Sequence, residues 1–226
     1  LALLRHRDST GLRDYWSYVP GGNNPDDGHR EYSQLMSSSL ALISDHILET
    51  YPLGDYRGLV DVAGGTGHFA RMVKKRYPDI DATVLDLPEV VSEAKRQFPQ
   101  TDIRFVATDM FRSPLPPDTE CFSLVRVLHD HDDEPVVALL TRLHSALKPG
   151  GHLLIAEPMA GTAGAEPIGD TYFSFYLWAM GSGRPRTAKE LKAMCLAAGF
   201  SGIREFKTPI PALTRVLVAE KAPKNP

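Results

Sequence analysis

The chain has 226 residues and a net charge of −3, with 42% hydrophobic and 23% charged residues. That length buries a sizeable core in one α/β domain or a small pair, and the apolar fraction is too high for a disordered chain. The near-neutral balance argues against a nucleic-acid surface, and no apolar stretch approaches the ~20 residues that span a bilayer. Leu1-Ala2-Leu3-Leu4 gives way at once to Arg5, His6, Arg7 and Asp8, which does not read as a signal peptide. Cys121 and Cys195 have no partner spacing and read as reduced core residues of a cytoplasmic protein. The chain starts without Met, so a fragment or trimmed domain is expected.

The run from Gly21 to Gly28 is rich in breakers and reads as a loop. Apolar residues recur at helical spacing from Tyr32 to Tyr51, and Pro52 ends that helix. Strand and helix then alternate: a strand over Leu59–Ala63, a helix over Phe69–Tyr77, a strand over Thr83–Leu85 and a helix from Pro88 to Phe98. Strands follow at Ile103–Ala107 and Phe122–Leu128, then a helix from Asp133 to Leu147. The turn Lys148-Pro149-Gly150-Gly151 leads into the strand Leu153–Ala156. Helices over Thr171–Met180 and Thr187–Ala198 precede two short strands near Ile203–Phe206 and Arg215–Ala219. This alternation predicts a doubly wound, mostly parallel α/β sheet.

Asp61-Val62-Ala63-Gly64-Gly65-Thr66-Gly67 ends the first strand. Glycines at a strand-to-helix turn let backbone approach a ligand closely and present helix N-terminal N–H groups. Asp86, 22 residues after Gly64, ends the second strand, where a carboxylate takes ribose hydroxyls. Asp109 and Met110 follow the third strand and suit an adenine edge and face. The dinucleotide pattern G-x-G-x-x-G is absent, which disfavours a nicotinamide dehydrogenase. The set instead suits S-adenosylmethionine, which lacks phosphates and has a charged amino-acid end.

His129-Asp130-His131-Asp132-Asp133-Glu134-Pro135 falls at the sheet's carboxyl edge. Part of its acidity is a helix start, with Asp132 or Asp133 as cap and Pro135 in the first turn. A metal site is the second reading, although adjacent residues rarely point at one ion. In the third reading, His129 is a general base beside the cofactor, with Glu157 at the end of the next strand orienting its ring. The aromatic stretch Tyr172–Met180 is apolar nearly all round, so one face is expected to wall an acceptor cavity. Trp178 and Met180 are the expected wall, because Met adapts its shape to irregular ligands.

Leu59–Gly67, Asp86-Leu87-Pro88, Asp109-Met110-Phe111, Arg126–Asp130, Pro149–Gly151, Ala156-Glu157 and Gly183–Thr187 together resemble the class I O-methyltransferases of the caffeic-acid and hydroxyindole type. Glu157–Gly161 and Gly169–Phe173 look most like the hydroxyneurosporene (carotenoid) members. The resemblance implies a Rossmann-like sheet of about seven strands with helices on both faces. It implies His129 as catalytic base and Glu157 as one flanking carboxylate. It places Asp61, Gly64, Gly65, Gly67, Asp86, Leu87, Asp109, Met110, Arg126, Tyr32 and Met36 at S-adenosylmethionine; Asp130 and Phe173 join Trp178 and Met180 of the aromatic stretch as the expected substrate pocket. No metal, nucleic-acid partner or transmembrane segment is expected; the expected partner is a small hydroxyl-bearing acceptor.

Two positions depart from the pattern. His131 stands where the family has Trp, and Pro185 stands where a second flanking Glu is expected. The expected organisation is a remnant of an N-terminal helical region over residues 1–30 and a catalytic domain over 31–226. Dimerisation through the rest of that region is expected. Rival readings are a same-family decarboxylase or hydroxylase, and a non-catalytic cofactor-binding subunit.

Overall fold

The computed structural model describes residues 40–224. Tyr32, Met36 and the segment 1–30 lie outside the described residues. Helix α1 covers 40–50. The order is then β1 (Gly58–Val62), α2 (His68–Arg76), β2 (Asp81–Asp86), α3 (Pro88–Gln97), β3 (Arg104–Ala107), β4 (Thr119–Val125), α4 (Asp133–Ala146) and β5 (Leu147–Glu157). The last elements are α5 (Phe173–Met180), α6 (Ala188–Ala197), β6 (Ser201–Phe206) and β7 (Arg215–Glu220). The sheet has seven strands in the order β3-β2-β1-β4-β5-β7-β6. Only β7 runs antiparallel to its neighbours, β5 and β6.

Side chains alternate along each inner strand, so each face of the sheet acquires its own apolar layer. Val60, Val62, Phe122, Leu124, Leu153 and Ile155 pack with Leu139 and Leu143 of α4 and Leu191 of α6. Their neighbours Leu59, Cys121, Leu154 and Ala156 pack on the other face with Ile43 and Ile47 of α1 and Phe69 and Val73 of α2. Both cysteines are buried and free, as expected of core residues.

Three expected boundaries shift, each for a visible reason. The fourth strand stops at Val125 rather than reaching Leu128. Arg126 takes a left-handed φ of 58°, and the next N–H groups find a side-chain acceptor instead of a strand. The expected turn at 148–151 is a kink inside β5, where Gly150 has a φ of 73° and its N–H donates to the Lys221 carbonyl at 2.8 Å. The expected helix from Thr171 splits into a wider π-helical turn over Pro167–Tyr172 and then α5.

The excursion holding that turn and α5 is closed at its base. Ala160 bridges to Thr187, and its N–H donates to the Arg186 carbonyl at 3.0 Å. Thr187 then caps α6 in a reciprocal pair with Glu190, whose N–H donates to Thr187 Oγ1 at 3.2 Å.

Candidate active site

The strand order reverses between β1 and β4, and open α/β sheets form a ligand crevice at the carboxyl ends there. Both strands leave that point through a non-glycine residue at positive φ, Ala63 at 53° and Arg126 at 58°. Such conformations cost about 1 kcal/mol or more each and cluster where function demands a set geometry.

Asp61, near the end of β1, is buried, and Ser123 Oγ across the β1–β4 pair donates to its Oδ1 at 2.6 Å. Asp61 Oδ2 is buried without a hydrogen-bond partner. Burial pushes this carboxyl up to about 7, against the Ser123 bond. A Cβ at Gly64 would overlap Asp61 Oδ2 and come within 2.8 Å of its carboxyl carbon, and one at Gly67 would stand 2.8 Å from the Phe105 ring. Glycine is therefore required at 64 and 67 for the turn to fold this close to the sheet. At the end of β2, Asp86 accepts the N–H of Gly65 at 2.7 Å and of Leu87 at 2.8 Å. Burial raises its pKa despite these two bonds. Asp109 Oδ1 accepts the Phe111 N–H at 2.8 Å, and the Met110 carbonyl accepts from Arg142 Nε at 3.1 Å. The turn thus brings an unpaired carboxylate oxygen, a cradle closed to any Cβ and two further carboxylates to one edge, which fits a ligand carrying ribose hydroxyls and a cationic amino-acid end.

His129 stands in a short helical turn, Leu128–Asp130, just beyond β4 and is only 6% exposed. Glu157, ending β5, accepts three hydrogen bonds there. Its Oε1 takes the N–H groups of Val127 at 2.9 Å and Leu128 at 2.7 Å, and its Oε2 takes His129 Nδ1. Glu157 therefore builds the loop as well as orienting the ring. On the other side, Asp130 Oδ1 lies 3.3 Å from His129 Nε2. Burial draws the imidazole pKa down, but the Asp130 and Glu157 carboxylates outweigh it and leave the ring above its ordinary value. Burial likewise pushes Asp130 up to about 6, opposed by His129. Phe173 meets the His129 ring edge-on at 5.9 Å between centroids, and the Arg126 guanidinium lies 5.7 Å from the same Phe173 ring.

The Ser182–Thr187 segment clamps this loop. Arg186, 2% exposed, donates to the carbonyls of Leu128 and His131, both at 2.7 Å, and to Asp133 Oδ1 at 2.7 and 2.9 Å. Gly183 has a φ of 79°, and a Cβ there would overlap the His129 carbonyl. Its N–H donates to Asp132 Oδ1 at 3.0 Å. Asp132 is thus the residue before α4 and an anchor of the clamp, and Asp133 pairs with Arg184 at 2.9 Å.

Of the residues singled out from sequence, the structure brings Asp61, Gly64, Gly65, Gly67, Asp86 and Leu87 together at the β1–β2 edge, and Arg126, His129, Asp130, Glu157 and Phe173 at the β4–β5 edge. The expected aromatic wall needs correction. Trp178 is 46% exposed, and Tyr172 and Phe175 are exposed too, because α5 meets the rest of the described protein through Leu177 and Met180. The ring facing His129 is Phe173. His131 meets Phe111 edge-on at 5.0 Å. Sequence reasoning missed Ser123 and the roles of Gly183 and Arg186. Gly183 and Arg186 fell within the Gly183–Thr187 motif, but nothing in the sequence assigned Arg186 to the loop carbonyls it holds. Among the described residues no cluster of three or more His, Cys, Asp or Glu could hold a metal ion.

Fold and site together define a class: an α/β domain with a glycine-turn cofactor crevice and a carboxylate-braced histidine. The chain belongs to the family defined by the O-methyltransferase domain, whose pattern matches residues 14–201. It is 41% identical over 224 residues to demethylspheroidene O-methyltransferase of Rhodobacter capsulatus, covering 98% of this chain and 56% of that relative. It is 36% identical over 177 residues to acetylserotonin O-methyltransferase of Mus musculus, covering 75% of this chain and 46% of the relative. The chain thus spans about half the length of these curated relatives. The crystal structure of human N-acetylserotonin methyltransferase in complex with SAM superposes with a TM-score of 0.82 at 26% identity, over 97% of this chain and 64% of that one.

Proposed function

We propose that the full-length protein transfers a methyl group from S-adenosylmethionine to a hydroxyl of a small apolar metabolite, with His129 as general base. A tertiary hydroxyl of a carotenoid is the favoured acceptor and a phenol the next. The observation that carries the reading is the His129–Glu157 pair, set one strand away from the Asp61–Gly67 turn. The 41% identity to a demethylspheroidene O-methyltransferase supports the choice of acceptor.

Gly64, Gly65 and Gly67 would hold the cofactor with Asp86 on the ribose and Asp61 Oδ2 toward the amino-acid end. Asp109 and Met110 would take the adenine, and Leu87, Arg126, Tyr32 and Met36 would complete the contact. When bound, S-adenosylmethionine supplies an electrophilic methyl group. Glu157 accepts the hydrogen of Nδ1, so the lone pair of His129 sits on Nε2, the atom that takes the acceptor proton. Phe173 packs beside that ring and orients an apolar acceptor, with Asp130 beside the base and Met180 along α5. A tertiary alcohol resembles water, whose pKa is about 15.7, so proton loss accompanies transfer. A phenol near 10 leans on the base less. Positioning supplies much of the remaining acceleration.

The exposed Tyr172, Phe175 and Trp178 support a further proposal, that the full-length protein is a cytoplasmic homodimer with this surface covered. Incubation of the full-length protein with labelled S-adenosylmethionine and a tertiary carotenoid alcohol or a phenol tests the activity. The expected product gains the mass of one methyl group, and EDTA leaves its yield unchanged. Decarboxylated or hydroxylated product, or activity lost on chelation and restored by a divalent ion, would overturn it.

A further inference from the structure

Glu157 holds the hydrogen of Nδ1, so Nε2 of a neutral His129 is an acceptor. An ionised Asp130 is an acceptor too, and the two stand 3.3 Å apart in a buried site. With both groups unprotonated the two acceptors face each other, so a proton that reaches the pair has two homes: Nε2 of an imidazolium or Oδ1 of a carboxylic acid. The two side chains differ in their access to water, with Asp130 19% exposed and His129 6%.

We propose that Asp130 is the proton outlet of the His129 base, a positioning residue that acts through the imidazole. This rests on the reading of His129 as the general base. During transfer the acceptor O–H bond breaks and its proton goes to Nε2, while the oxygen takes the methyl group as the methyl–sulfur bond of the sulfonium breaks, its electron pair leaving with sulfur as a neutral thioether. The Nε2–H bond then breaks, its electron pair staying on nitrogen, while a lone pair of Asp130 Oδ1 forms the new O–H bond. Asp130 finally releases the proton to water or a buffer base, and His129 is neutral for the next cycle. Asp130 thereby stands where the missing carboxylate at Pro185 leaves His129 with a single brace.

The charged and titratable groups around the pair are accounted for. Glu157 comes from β5, Arg126 from the end of β4, and His131 follows in the same loop, all with charge interactions reaching His129 or Asp130. From the facing segment, Arg186 is committed to Leu128, His131 and Asp133. None of these bonds the Asp130 carboxylate. The Asp130 backbone is held separately, its carbonyl accepting from Ser182 Oγ at 3.1 Å, so Asp130→Asn keeps shape and loop anchorage.

The test has two arms on the full-length protein. In the first, NMR follows the titration of the His129 ring without any acceptor. Asp130→Asn is expected to lower the midpoint by about one pH unit or more, the effect of losing an adjacent carboxylate. In the second, kcat for methyl transfer is measured against the concentration of a small buffer base such as imidazole. Asp130→Asn should lower kcat about tenfold, matching that shift. Cofactor KM should hold, and rising buffer should restore the rate. An unmoved midpoint overturns the proposal, as does a kcat unchanged by the substitution or a loss indifferent to buffer. The NMR arm needs no turnover, so it separates failure of this proposal from failure of the methyl-transfer reading.

Discussion

Asp61 and Gly64 share one small space: the carboxyl group of the first fills the volume that a side chain at the second would need. The relationship couples strand β1 to the turn that follows it. A residue with any Cβ at 64 must push back the carboxylate or open the turn.

Gly64→Ala is therefore expected to destabilise the domain by about 1–3 kcal/mol, the range for forcing a methyl group into a packed site. It should also weaken S-adenosylmethionine binding. Thermal denaturation and calorimetric titration of the same variant check both; an unchanged Tm with unchanged affinity would sink the idea that the two residues compete for room.

Asp61 carries a pH signature. Its folded value of about 7 lies above its ordinary 3.8, so the folded state holds the proton more tightly than the unfolded chain. The stability this gives is fully present below the ordinary value and is lost as pH rises through about 7. Asp61→Asn removes that loss. The Tm of the variant should gain on wild type between about pH 4 and pH 7, on the order of 2–4 °C for each kcal/mol relieved. A gap between the two melting curves that stays constant with pH would contradict this.

His129→Ala is expected to lower kcat by ~10²–10⁴ with cofactor affinity kept. Glu157→Gln should approach that loss. The amide keeps an oxygen for Val127 and Leu128 but turns its NH₂ toward Nδ1, which moves the ring hydrogen to Nε2 and removes the base. Kinetics of both variants on one acceptor, with calorimetry for the cofactor, decide between this and a purely orienting Glu157.

Arg186→Met leaves the Leu128 and His131 carbonyls without this donor, while Asp133 keeps its pairing with Arg184. Leaving a buried acceptor without its donor costs about 1–3 kcal/mol. Denaturant unfolding should show that loss, and kcat should fall with it because the released carbonyls flank His129. A surface-like change below about 0.5 kcal/mol would show that the clamp does not hold the loop.

The sheet was legible because its signals are local. Leu59–Val62 is an apolar run with a glycine turn behind it, and Pro88 and Pro52 mark helix edges that the structure keeps. The end of β4 was not legible. Val127 and Leu128 look like more strand, and only a carboxylate 30 residues downstream in the chain, Glu157, takes their N–H groups away from the ladder. The glycine turn, His129 and Glu157 could be read from spacing, since chemistry-bearing residues fell at strand ends. The role of Arg186 could not, because the carbonyl groups it holds are ones that every residue has. The wall of α5 was misjudged for a related reason. A helix apolar all round does not reveal which face meets its neighbours, and the structure turns Leu177 and Met180 inward and Trp178 out.

The bridge between Ala160 and Thr187 gives the chain a natural seam. Everything from Gly161 to Gly181 leaves the sheet and returns to the same place, and Asp170 ties the departure to its own interior by accepting the Gly161 N–H at 2.7 Å. The loop bearing His129 is anchored outside that stretch, by Glu157 before it and by Ser182 to Arg186 after it. The stretch is therefore a cassette. Its length and composition can change without disturbing the anchors that hold the His129 loop, because both ends of the segment are fixed at one point of the sheet.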